Sequence, residues 1–177
     1  MKNLIIMTMS VFLLFIAAGL IMNKNYYASV EVPISAPIKV VHAKLNDLGS
    51  WLEWGEWNVK DPTLKVQTGE VSQGVGATNS WQGESGSGRL ELTKSQDDHI
   101  TYNVWFAKEA LKNHGEFLLR EHKGQTFVQW NMWGHVNHPI LGGYMAKFME
   151  VMNKKIAKES LYNLKNILEQ KPKVLKK

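Results

Sequence analysis

The sequence predicts an α+β domain in which a twisted antiparallel sheet curls around one long C-terminal helix, set behind an apolar N-terminal segment. Three observations carry this. Leu4–Met22, LIIMTMSVFLLFIAAGLIM, holds no charge and no proline. From Leu64 to Gly134, short alternating runs are broken by glycine or by Asp97-Asp98 every 8 to 12 residues or so, the pattern of a meander. From Ile140 to Leu168, apolar residues recur at three- and four-residue steps without proline or late glycine, which is helical periodicity.

Each element follows in order. At 1.5 Å per residue, Leu4–Met22 matches the roughly 30 Å hydrocarbon core of a bilayer. Lys2 and Lys24 bracket it, and Tyr26 and Tyr27 suit an aromatic belt. The segment reads as an uncleaved anchor, residues 1–25. Its rival is a cleaved signal peptide, but the apolar run is longer than a signal core and YYAS is a poor cleavage site. The preferred orientation keeps the short basic N-terminus inside and puts the domain outside the cytoplasm. Val30, Val32 and Ile34 alternate with polar residues as a half-buried strand. Pro37 then suits the first turn of a short helix, with Ser35 or Ala36 near its cap, carried by Ile38, Val41, Leu45 and Leu48. Ser50 and Glu53 suggest a capping box opening a brief helical turn, which Gly55 and Asp61-Pro62 end. Six strand-like runs follow. The last helix shows a stripe of Leu141, Met145, Phe148, Met149, Met152, Ile156, Leu164 and Ile167, with Asn137 or His138 at its cap and Pro139 in its first turn. Residues 26–170 are expected to form one domain and 171–177 a basic tail.

Composition narrows the functions available. Of 177 residues, 44% are hydrophobic and 21% charged, with a formal net charge of +5, which fits one globular domain plus an appendage. With no cysteine, disulfides, thiolate metal sites and thiol nucleophiles are all excluded. Much of the positive charge is Lys171, Lys173, Lys176 and Lys177, a tail without aromatics, so no nucleic-acid partner is expected. His135 and His138 in HVNH have no third ligand near them in sequence, and no metal or cofactor is expected. Glu84, Ser85 and Arg89 read as a solvated hairpin. No nucleophile elbow or phosphate loop is present, and no catalytic residue is assigned.

A strongly twisted sheet around a single helix leaves space between the two, so a cavity is expected there. The order of elements, together with VPISAPIKVVHAKLNDLGSWLEW, GVGATNSWQGE, GSGRLEL, GQTFVQW and LYNLKNILEQ, resembles the polyketide cyclase/dehydrase and lipid-transport group of the START-like superfamily, in its variant with an N-terminal membrane helix. The resemblance spans nearly all of Val30 to Glu169. It implies a helix-grip fold enclosing a hydrophobic ligand cavity. Relatives commonly carry a proline between the second and third tryptophan of the WLEWGEW motif, where this chain has Gly55 and Glu56.

Strand parity names the side chains that would face such a cavity. Trp81, Tyr102, Phe106, Phe117 and Trp130 group on inward faces, opposite Met145, Phe148, Met149 and Met152 of the helix. Trp54 or Trp57 would form the cavity lip. Of the acids, Glu91 and Glu116 are the candidates for an inward position. Trp105 and Trp133 fall on the outer face. The expected function is a membrane-anchored binder or carrier of a lipid or aromatic metabolite. Two alternatives stand: a cyclase- or hydrolase-type enzyme, recognised by a buried acid or histidine in the cavity, and a protein-interaction or chaperone-like regulatory module, favoured by a filled core.

Overall fold

The computed structural model describes residues 1–106 and 111–170, with backbone alone at Asn58, Lys60 and Leu111; the basic tail at 171–177 lies outside the described residues. Helix α1, Lys2–Ile21, leads into β1, Asn25–Ile34, whose first residues pair with the end of the last strand. Helix α2, Ile38–Asn46, buries Val41 and Leu45 as its periodicity requires. Pro37 is its N-cap, in extended conformation, rather than part of its first turn. A 3₁₀ turn at Leu48–Ser50 leads into two single helical turns, α3 at Trp51–Trp54 and α4 at Trp57–Lys60. The expected capping box does not form. Ser50 Oγ donates to the carbonyls of Lys44 and Asp47 instead, and Glu53 pairs with Lys44 at 2.7 Å.

The meander is complete: β2 Lys65–Thr68, β3 Thr78–Gly83, β4 Gly86–Gln96, β5 His99–Phe106, β6 Leu111–His122 and β7 Gln125–His135. All neighbours are antiparallel, in the order β1-β7-β6-β5-β4-β3-β2. Helix α5, Gly142–Glu169, lies chiefly along β1. This is the helix-grip fold. The cap of α5 is Leu141, not Asn137 or His138, although His138 Nδ1 accepts from the Leu141 amide at 3.0 Å.

The face that α5 turns inward differs from the expected stripe. Gly142, Gly143, Ala146, Ala157, Ser160, Leu161 and Leu164 are buried, whereas Leu141, Met145 and Phe148 are exposed. Small residues let the first turns lie close on Met22, Lys24, Tyr26 and Val136, and the larger apolar side chains are turned away by that closeness.

Asp61 ties the α4–β2 turn to the β3–β4 hairpin. Its carboxylate accepts from Thr63 Oγ1 at 2.5 Å, the Thr63 amide at 2.9 Å and the Ser85 amide at 2.9 Å. Thr63 foremost, with Ser85, holds its pKa down to about 2. A carboxylate whose folded pKa is depressed stabilises the fold above its unfolded value and loses that contribution as pH falls through the folded value. Thermal stability should therefore drop between roughly pH 4 and pH 2. Asp61→Asn should be less stable at neutral pH and show a flatter profile in that window; an unchanged profile would remove the assignment.

Candidate functional site

Between the sheet, α3–α4 and the second half of α5 the interior is aromatic. Trp51, Trp54, Trp57, Tyr102, Phe117 and Trp130 form one cluster. Trp51 stacks on Trp57 with centroids 5.8 Å apart and planes 9° from parallel. It meets Tyr102 and Phe117 edge-on at 5.5 and 5.7 Å. Trp130 lies 4.8 Å from Phe117 and 5.9 Å from Trp54. Trp54 and Trp130 are fully buried, while Trp57 is half-buried and forms the outer rim. The space in which a cavity was expected is filled by these rings. Two open hollows lie on the surface. One of about 560 Å³ lies beside Glu56, Lys155, Tyr162 and Asn163; another, of about 700 Å³, lies along β2 and β3 at Lys65, Ser80 and Trp81.

Gly55 makes the filling possible. A Cβ there would lie 1.9 and 2.0 Å from atoms of the Trp57 ring, so the ring folds back over the bare glycine onto Trp51. The segment is clamped to α5: the Glu56 amide donates to Ser160 Oγ at 3.0 Å, and Asn163 Nδ2 donates to Glu56 Oε1 at 2.6 Å and to the Trp54 carbonyl at 3.3 Å.

The indole N–H groups are not equally served. Trp51 donates to the Leu45 carbonyl at 2.9 Å, and Trp130 to the Tyr102 hydroxyl at 2.7 Å. Burial raises the Tyr102 pKa far above the ordinary phenol range, so it stays protonated. Trp54 Nε1 is buried and finds no acceptor among the described residues, nor does Asn79 Oδ1 find a donor. A buried unpaired polar group costs about 1–3 kcal/mol.

The sequence-predicted residues divide accordingly. Trp54, Trp57, Tyr102, Phe117 and Trp130 converge, around Trp51, which parity reasoning omitted although it begins the same three-residue series. Trp81 and Phe106 pair edge-on at 5.6 Å, outside the ring contacts of that cluster. Met149 packs on Tyr26, Val136 and Ala146, and Met152 is half-buried. Met145 and Phe148 are not on an inner wall: they are 44% and 65% exposed.

Glu91 and Glu116 lie on the outer face, because their neighbours Leu90, Leu92 and Phe117 are the buried ones. There a polar ladder crosses the sheet. Lys94 Nζ donates to His99 Nδ1 at 2.8 Å, which leaves Nε2 to donate to Glu116 at 2.9 Å. Asn131 Nδ2 donates to the same carboxylate at 2.9 Å and its oxygen accepts from Ser29 at 2.7 Å. Trp105 lies under Arg89 at 3.8 Å, and Trp133 stacks on His114 at 5.8 Å. Burial, with Lys112 nearby, lowers the His114 pKa. Arg89 also reaches Glu91, while the Glu84 and Ser85 amides go to Thr63 and Asp61. His135 pairs with Asn25, and no group of metal-binding side chains assembles among the described residues.

Comparison with known proteins places this architecture. The family profile described as Polyketide cyclase / dehydrase and lipid transport matches residues 27–169. The chain belongs to that family. The polyketide cyclase/dehydrase and lipid-transport fold is one that binds hydrophobic small molecules. No curated protein matches. Among solved structures, KanY is 17% identical over 82% of this chain and 99% of its own, with a TM-score of 0.63. DynU16, from the dynemicin biosynthetic locus, is 14% identical with a TM-score of 0.59; the alignment covers 81% of this chain and 47% of DynU16. The Aha1 dimer from Colwellia psychrerythraea is 17% identical over 81% of this chain and 96% of its own, with a TM-score of 0.53. These likenesses are of fold. Helix α1 is long and apolar enough to cross a membrane, as are many signal sequences.

Proposed function

We propose that this family member binds an apolar small molecule, a lipid or an aromatic metabolite, between the sheet and α5, in the space that Trp57 closes here, and that α1 anchors it to a membrane. The observation that carries the reading is Trp54 Nε1, a buried donor without an acceptor inside an otherwise aromatic interior. A ligand that displaces Trp57 and brings one carbonyl, hydroxyl or ether oxygen to Trp54 satisfies that donor while its apolar body meets Trp51, Phe117 and Trp130. Displacement needs little rebuilding, because Trp57 sits on a single helical turn at the rim.

The filled core favours a second reading, a protein-interaction module that works from the outer face. Trp105 and Trp133 are the residues it would use, although Arg89 and His114 already cover part of each ring. One experiment separates the two. The full chain, extracted from its host membrane in detergent, is examined by native mass spectrometry and then titrated with a panel of fatty acids and aromatic ketones while tryptophan emission is followed. A co-purifying molecule, or saturable quenching with a rise in melting temperature, is expected. An empty protein that no member of the panel shifts would sink the binder reading.

A further inference from the structure

The first three turns of α5 present their apolar side chains to the outside. Leu141 is 41% exposed, Met145 44%, Phe148 65% and Val151 60%. At 3.6 residues per turn these four, with Tyr144 and Met152, fall within about 120° of one another. Scattered exposed apolar residues are ordinary, but a contiguous stripe marks a surface that something covers. Lys155 and Lys158 end the stripe.

Helix α1 is seated on the same side. Phe15 stacks on Tyr144 with centroids 4.5 Å apart and planes 9° from parallel, and the Tyr144 hydroxyl donates to the Phe15 carbonyl at 2.9 Å. Gly19 is buried so closely that a Cβ would meet the Ile140 carbonyl oxygen, and Met22 lies against Gly143.

The length of α1 then fixes a depth. Its 20 residues span about 30 Å, which a hydrocarbon core of about 30 Å takes up entirely. Phe15 lies seven residues before Met22, hence about 10 Å inside that span. Tyr144 is held against Phe15, so the start of α5 has no clearance from the headgroups. We infer that the first three turns of α5 lie in the interface of the chain's own bilayer, with Leu141, Met145, Phe148 and Val151 at the boundary between headgroups and acyl chains. The domain then rests on the membrane through two elements, and Lys155 and Lys158 mark where α5 leaves the surface. This inference rests on the anchor reading of α1.

Because the chain has no cysteine, single labels are straightforward. Phe12→Cys, Phe148→Cys and Val75→Cys, the last in the exposed loop between β2 and β3, each carry an environment-sensitive nitrobenzoxadiazole dye. The full chain is placed in phosphatidylcholine–phosphatidylglycerol vesicles containing lipids with a nitroxide either near the headgroup or deep in the acyl chain. The shallow quencher should roughly halve emission at position 148 and leave position 75 unchanged, while position 12 responds to the deep quencher. If position 12 is quenched and 148 behaves like 75, the docking is overturned and the anchor stands. If position 12 is not quenched, the anchor reading fails and the docking with it. A blue-shifted label at 148 that lipid does not quench, and that changes with the protein-to-lipid ratio, means that a second copy covers the stripe, which also overturns the inference.

Discussion

Trp130→Ala is expected to cost about 3–5 kcal/mol, the range for truncating a buried large aromatic residue and a sizeable part of a typical domain's total stability. The ring is 1% exposed and lies at the centre of the aromatic cluster, with Phe117, Trp54, Trp57 and Trp51 at centroid distances from 4.8 to 6.4 Å. Its N–H is the donor to a fully buried tyrosine hydroxyl. Phenylalanine substitutions isolate that hydrogen bond. Trp130→Phe leaves Tyr102 without its donor, whereas Trp54→Phe removes a donor that has no acceptor. With similar volume lost at two fully buried sites, Trp130→Phe should be the more damaging by about 1–2 kcal/mol. Near-ultraviolet circular dichroism melts of the full chain in detergent measure both. Equal losses would mean that Trp54 has a partner after all.

Gly55→Ala is the second large effect. Gly55 has φ −74° and ψ 140°, a conformation alanine adopts freely, so the substitution adds no backbone strain. The added methyl group nevertheless enters the volume of the Trp57 ring and lies 2.7 Å from the Trp51 carbonyl oxygen. The ring must leave its stack on Trp51. A loss of about 1–3 kcal/mol is expected, as for other overpacked sites, together with a red shift of tryptophan emission as Trp57 meets water. If the proposed binding is correct, the same variant starts partly open and takes up apolar ligands faster than the native chain. Unchanged emission would show that the segment yields by moving its backbone, and would remove Trp57 as the closing element.

Much of this was legible in the sequence because the signals are local. Alternation in GQTFVQWNM turns Val128 and Trp130 inward, since successive side chains on a strand point to opposite faces whatever lies beyond. Glycine and Asp-Asp breaks marked the turns of the meander for the same reason, and the charge-free run before Asn23 marked α1. Trp51, Trp54 and Trp57 recur at every third residue, a spacing that does not fit one strand face and is consistent with a short helical turn over an edge of the core.

What depended on partners distant in sequence was not legible. A helical stripe records that apolar residues share a side, not what meets that side. In α5, the small residues Gly142, Gly143 and Ala146 took the buried side, against Met22, Lys24, Tyr26 and Val136, and Met145 and Phe148 were left facing out. Ser50 had the right spacing for a capping box, but the carbonyls of Lys44 and Asp47 lay nearer to its hydroxyl. The cavity was a matter of volume, decided by six aromatic rings from five elements and by one glycine against which Trp57 could fold. By itself the sequence determined the order of elements, the family and the aromatic content of the site. Only the tertiary structure decided that the site is closed and which indole lacks a partner, because both depend on distances between residues far apart in the chain.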